Sequence, residues 1–313
     1  MNSIKVSFYL LSICALATSA SGVINIDTSY VGDIGNTADS STYGAVSYGY
    51  HVGTYEVTND QYVSFLNATG STNAHGVYNA SMSSDTHGGI QQSGTSGSFT
   101  YASKAGMGEK AVNYVSFWDA ARFTNYLTTG NTEVGVYNLG GVTAPTNGTI
   151  TRNATAWNAG GVGIASEDEW YKAAYYKGGS TTAGYWDYAH QSDSITTADA
   201  NYANSVGTLT DVGTYSDDAS YYGTFDQGGN VWEWNDAIVS SSFRGLRGGA
   251  FNSNVSTLQP SFRFSFNPTG ESYSVGFRVS SLAPIPEPST YAAIFGGLAL
   301  SVATMRRKGR RTL

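Results

Sequence analysis

The stretch Gly228-Gly229-Asn230-Val231-Trp232-Glu233-Trp234 decides how this chain is read. Two glycines and an asparagine make a turn, and the aromatic, β-branched run that follows makes a strand. By itself the segment is a Gly-rich turn in which Trp232 and Trp234 take alternate sides of a strand. Glu233 would then enter a salt bridge, with Arg247 as its candidate partner. Short strands are expected over 45–57, 231–235, 244–251 and 275–281.

Upstream of it three short helices are marked by their caps. Thr58 opens the first and places Tyr62, Phe65 and Leu66 on one face. Ser116 with Asp119 opens the second, whose apolar stripe is Ala120, Phe123 and Leu127, and Ser166-Glu167-Asp168-Glu169 is a full capping box before Trp170, Ala173 and Ala174. Between them, 69–110, 128–163 and 177–224 are rich in Gly, Ser, Thr and Asn and too long for simple turns. Their Tyr78, Tyr101, Trp157, Tyr185, Trp186 and Tyr188 give them something to pack, so they read as ordered excursions on one scaffold. No repeat of solenoid or propeller length is present.

With 38 Gly, 23 Tyr and only 12% charged residues in 313, the chain suits a loop-rich fold with an aromatic core rather than a helical bundle. Residues 1–21 carry one Lys, an apolar run and small residues at a cleavable spacing, the pattern of a secretory signal peptide. Residues 284–313 join a Pro-rich hinge to an apolar run from Tyr291 to Met305 and an Arg-rich end that belongs on the cytoplasmic side of a membrane. One globular domain, 22–283, is left between them.

The sole cysteine, Cys14, lies in the leader, which excludes disulfides, zinc thiolates and a thiol nucleophile from the mature domain. Six of the 16 Lys and Arg and one of the 23 Asp and Glu lie in the two end segments, so the domain carries a net charge near −12. Phosphate backbones would repel it, and no nucleic acid partner is expected. P-loop, nucleophile-elbow and metalloprotease motifs are absent. His51, His75, His87 and His190 are widely spaced and read as surface or loop residues, and Asp217-Asp218 as solvated charges.

Six ordered blocks carry a resemblance: Glu56-Val57-Thr58-Asn59; Val112-Asn113-Tyr114-Val115-Ser116 with Asp119-Ala120; Ser166-Glu167-Asp168-Glu169-Trp170; Gly228 to Trp234; Arg247-Gly248-Gly249; and Gly276-Phe277-Arg278. In that order they resemble formylglycine-generating-enzyme-like domains, the sulfatase-modifying-factor family. The resemblance implies an α+β fold, a single-domain variant of the C-type-lectin-like architecture with little regular secondary structure. The tail, with Pro286, Glu287 and Pro288 before its apolar run, resembles a PEP-CTERM sorting signal. That implies an exosortase-type sorting enzyme as partner, a transient inner-membrane anchor, and export to the cell envelope or beyond.

The family oxidises a sulfatase cysteine to formylglycine with copper held by two cysteines shortly after the Arg-Gly-Gly block. Those positions fall on about Ser253 and Leu258, neither of which supplies the soft sulfur that Cu(I) requires. No copper and no parent oxidase activity are expected. Members that use non-heme iron draw histidines from an extra helical domain, to which nothing here corresponds. In the resembling enzymes the Gly-Asn-x-Trp-Glu-Trp block forms a calcium site, which implies Asp226, Gly229, Val231 and Glu233 as ligands here; the oxygen chemistry suits a hard cation. Asn201 and the carbonyl of Tyr202 would belong to a second, weaker site.

The segment Phe251 to Thr269 replaces the family's catalytic stretch with Asn, Ser, Thr and aromatics, a composition suited to recognition. Phe251, Asn252, Asn254 and Arg263 are its candidate binding residues; Phe262, Phe264 and Phe266 face either the core or a groove. The leading expectation is an exported, non-catalytic binding or structural module with an envelope polysaccharide or protein ligand. The alternative is an enzyme of the formylglycine-generating and non-heme-iron superfamily with altered chemistry.

Overall fold

The computed structural model describes residues 24–145 and 148–285. The leader and the tail, with Pro286, Glu287 and Pro288, lie outside the described residues. Strands β1 (Thr28–Val31) and β2 (Tyr50–Gly53) precede α1 (Asn59–Thr69) and the single turn α2 (Ser81–Ser84). A hairpin, β3 (Ile90–Ser93) and β4 (Thr100–Ser103), leads to α3 (Phe117–Thr129), α4 (Ala154–Asn158), β5 (Val162–Ile164) and α5 (Glu167–Tyr175). After a long irregular stretch come β6 (Trp232–Ser240), β7 (Phe243–Arg247), β8 (Phe264–Phe266), β9 (Val275–Phe277) and β10 (Val279–Ser281).

Two four-stranded sheets result, ordered β1-β2-β10-β5 and β8-β7-β6-β9, with β3-β4 beside them. Only Arg278 separates β9 from β10, so the chain steps from one sheet to the other within a single residue. The architecture is α+β with little regular secondary structure. Among the described residues no helix is long and apolar enough to cross a membrane.

The three expected helices form behind reciprocal capping boxes, Thr58 with Gln61, Ser116 with Asp119 and Ser166 with Glu169. Each box satisfies two of the amide donors that a helix start leaves open. Their apolar faces meet in an aromatic core: Tyr62 stacks on Phe123 at 5.9 Å, and Phe123 meets Phe277 of β9 edge-on at 5.4 Å. The stretch 69–110 holds α2 and the hairpin, and 128–163 holds α4 and β5; both read as loops in the sequence because their elements have only three to five residues.

Three expectations require correction. Trp232 and Trp234 lie on one side of β6, because residues two apart in a strand share a face. Trp234 is fully buried and stacks on Phe266 at 5.9 Å, and Trp232 meets Phe264 at 5.7 Å. Glu233 points the other way, and its partner is Arg278 rather than Arg247, which pairs with Glu167 instead. The strand expected over 244–251 stops at Arg247, since Gly248 and Gly249 have φ of 94° and 74° and leave the pleat.

Candidate functional site

The crossing residue Arg278 is completely buried, and its guanidinium organises the centre of the domain. Nε donates to Glu233 Oε2 at 2.6 Å and Nη2 to Glu233 Oε1 at 2.7 Å. Its other bonds reach the carbonyls of Gly53 at 3.0 Å and Phe225 at 2.9 Å, joining both sheets to the turn ahead of the Gly-Gly-Asn motif. The Trp170 indole N–H donates to Glu233 Oε2 at 2.8 Å.

Two further acids share this environment. Burial, and after it the charges of Asp226 and Glu233, push the Glu56 carboxyl well above the usual range; Arg278 pulls it back. Glu56 Oε1 accepts from Asn230 Nδ2 at 3.1 Å, and Oε2 is buried without a partner. Asp226 sits at φ 60° and accepts the Gly213 N–H at 2.6 Å. Enclosure of its carboxyl lifts its pKa to about 6.

The turn itself is stitched to a neighbouring segment. Asn230 N–H donates to the Asn201 carbonyl at 2.8 Å, and Gly229 N–H to the Gly248 carbonyl at 2.9 Å. At Gly229 φ is 95°, and a Cβ would stand 2.2 Å from the Asn201 carbonyl oxygen, so only glycine fits. Asn201 Nδ2 donates to the Thr208 carbonyl at 2.9 Å, whereas Oδ1 is buried with no partner. Tyr202 is buried, and its carbonyl accepts from Ser205 N–H at 3.1 Å. Asp226, Gly229, Glu233 and Asn201 are thus gathered around one turn, with Glu56 and Arg278 added to the set named from sequence. Glu56 stood in a quoted block, and its signal was an acid in the otherwise apolar Tyr-Glu-Val approach to α1.

The Arg-Gly-Gly block holds the segment 251–263 in place. Arg247 Nε donates to Glu167 Oε1 at 2.9 Å, and Nη1 to the carbonyls of Pro260 and Phe262, both at 2.7 Å. Arg263 binds Glu167 through Nε at 2.8 Å and Nη2 at 2.6 Å, so this candidate binding residue is tied to α5. Phe251 is buried against His87 and Tyr273. Asn252 and Asn254 are exposed, and Asn252 Nδ2 donates to the Tyr273 hydroxyl at 2.9 Å. Phe266 packs on the core and Phe264 is 47% exposed, so the aromatic strip is core at one end and surface at the other. Ser253 Oγ accepts from Ala250 N–H at 3.0 Å. Leu258 is fully buried beside Tyr188, Ala200 and Tyr202.

Glu271, in the loop between β8 and β9, meets the buried Asp119 and accepts from Asn79 Nδ2. Burial first, then the Asp119 charge, lift the Glu271 pKa from 4.5 to about 8. Because the folded value lies above the unfolded one, the contribution to stability is complete below about pH 4.5 and is lost as pH rises through about 8. Glu271→Gln should therefore match the unmodified protein in melting temperature at pH 5 and exceed it by a few degrees above pH 8. Parallel melting curves across that range would show that the carboxyl pair does not share a proton.

Two sheets joined through a buried Arg–Glu pair, with a Gly-Gly-Asn turn and an Arg-Gly-Gly clamp, define a domain of the sulfatase-modifying-factor type. Residues 31–282 match the sulfatase-modifying factor enzyme 1-like domain, and the chain belongs to that family. Among solved structures it is similar to Treponema denticola variable protein 1, at 18% identity and a TM-score of 0.57, over 84% of this chain and 97% of that one. It is similar also to CarF, at 23% identity and a TM-score of 0.57, over 83% of this chain and 99% of that one. Both likenesses concern the fold. No curated protein matches the chain.

Proposed function

We propose that this chain is an exported, envelope-sorted member of the family that binds rather than oxidises, with calcium as a structural cofactor. The observation that carries the reading is the chemistry at Ser253 and Leu258. The first is a hydroxyl and the second a buried aliphatic side chain, so neither offers a thiolate to copper. Cys14 is the only cysteine in the sequence. The exposed Asn252 and Asn254, with Phe264 beyond them, supply the polar and aromatic contacts of a recognition face for an envelope polysaccharide or protein. Export and sorting rest on the sequence of the two ends alone.

Calcium is favoured by the charge balance around Arg278. Glu56, Asp226 and Glu233 face one guanidinium, and Glu56 Oε2 and Asn201 Oδ1 are buried acceptors without donors. Of the ligands named from sequence, Asp226 and the carbonyls of Gly229 and Val231 would hold the ion, and oxygen donors of this kind suit it; Glu233 is engaged through both oxygens by Arg278 and would lie behind them. Its bound charge would offset the enclosure that pushes the Glu56 and Asp226 carboxyls up.

The test combines both parts. Purified protein, with and without copper, is incubated with a sulfatase-type cysteine peptide, and no formylglycine above a no-enzyme control is expected. Calcium should raise the melting temperature by a few degrees, as a ligand of the folded state does. Asp226→Ala should abolish that rise. Product formation would overturn the non-catalytic reading; a calcium-independent melting curve would remove the cofactor.

A further inference from the structure

Between 177 and 224 the described residues form no helix or extended strand pairing, yet this stretch holds a convergence of side chains that the sequence pattern conceals. His190, Asp199 and Asp218 bring ligand atoms within 4.8 Å of one another, and among the described residues no other His, Cys, Asp or Glu trio does so. In the sequence His190 reads as a loop residue without a ligand spacing, and Asp218 as one of a solvated acid pair with Asp217.

Each side chain comes from its own turn, and the turns are fastened together. Tyr188 N–H donates to the Ser192 carbonyl at 3.0 Å, which closes the loop carrying His190. Thr196 aims the Asp199 carboxylate: its N–H and its hydroxyl donate to Oδ2 at 2.7 and 2.9 Å. Asp218 N–H donates to the Tyr215 carbonyl at 3.1 Å, and Gln191 Nε2 reaches the Ala219 carbonyl at 3.0 Å, joining the His190 and Asp218 turns.

The three groups face one another without bonding. Among the described residues no ion pair within 4.0 Å joins His190 to either acid, and no Lys or Arg neutralises Asp199 or Asp218. They line a small cavity that also contains Tyr188, Tyr215 and Leu258, with Asp226 on its wall. Burial and the Asp199 charge raise the Asp218 pKa, and His190 opposes them. Two carboxylates and one imidazole converge in an acid-rich cavity, a nitrogen and oxygen donor set of the kind that holds a metal ion.

We propose that His190, Asp199 and Asp218 bind a divalent first-row transition ion, zinc foremost. Calcium takes oxygen donors, so the imidazole nitrogen selects against it. Zinc accepts three nitrogen and oxygen ligands and keeps a further position open, here toward the cavity. Bonds of about 2.0–2.2 Å require the three turns to draw slightly closer on binding. The proposed ligands are not those of the calcium reading, although Asp226 lines the same cavity.

The experiment uses the full chain, stripped with chelator and titrated with zinc chloride in equilibrium dialysis. One equivalent should bind. His190→Ala, and separately Asp218→Asn, should weaken binding by more than about tenfold, the least that disturbing a metal's ligand shell usually does. Both should leave the circular dichroism unchanged and keep whatever calcium response the parent shows. Zinc bound equally by both variants would place it at another site, such as His75 with Glu133 or His87 with Asp85, and overturn the assignment. Absence of stoichiometric zinc in the parent would overturn it as well. Should His190→Ala fail to fold, Asp218→Asn decides alone.

Discussion

Arg278→Met is expected to destabilise the domain by about 3–5 kcal/mol, the usual consequence of stripping the partner from a buried charge. The guanidinium answers Glu233 at 2.6 and 2.7 Å and faces Glu56 and Asp226, so its removal leaves three enclosed acids with no opposite charge. Methionine fills comparable volume, which separates the electrostatic effect from a cavity. For a domain of this size the melting temperature should fall by on the order of 10 °C. Adding Glu233→Gln should recover part of the loss, since the uncompensated charge goes with it. A single variant within about 1 kcal/mol of the parent in urea unfolding would show that the acids are already neutral in the folded protein.

The second large effect is expected at Arg152. Its Nη1 and Nη2 donate to the two Glu169 oxygens at 2.8 and 2.6 Å, and its Nε lies 2.8 Å from Asp236 Oδ2. Burial alone would raise the Glu169 pKa; the Arg152 charge and hydrogen bonds, with help from Ser166 N–H and Tyr48, outweigh it and hold the value at about 2. A folded pKa below the unfolded 4.5 means that this contribution is present above pH 4.5 and is lost as pH falls through about 2. Arg152→Met should therefore cost about 3–5 kcal/mol at pH 7. The gap from the parent should narrow as the solution is acidified toward pH 3, because protonation relieves the stranded acids. Urea unfolding at pH 7, 5 and 3 reads it, and a gap that stays constant would mean Arg152 acts through packing alone.

The parts of the fold legible in sequence are those specified by neighbouring residues. Thr58, Ser116 and Ser166 each sit three positions before a side chain that completes a capping box, and all three helices begin there. The turn at Gly229 was legible for the same reason. Long-range pairing was not. Glu233 chooses Arg278, 45 residues away, over Arg247, which lies opposite it in the β6–β7 ladder at the same register. That choice follows from the parallel pairing of β6 with β9, which no local pattern announces. His190, Asp199 and Asp218 escaped notice because turns, not a helix or strand period, bring them together.

The one-residue step at Arg278 has a kinetic meaning. β10 lies between β2 and β5, and β9 completes the other sheet beside β6, so both sheets acquire a strand from the last stretch of the domain. Pairings so distant along the chain make folding slow, because loop closure must come before the contacts that reward it. Neither sheet can be finished while a growing chain still lacks residues 275–281. A polypeptide built this way stays open until its end arrives, which is the condition in which a chain is most easily threaded through a narrow channel.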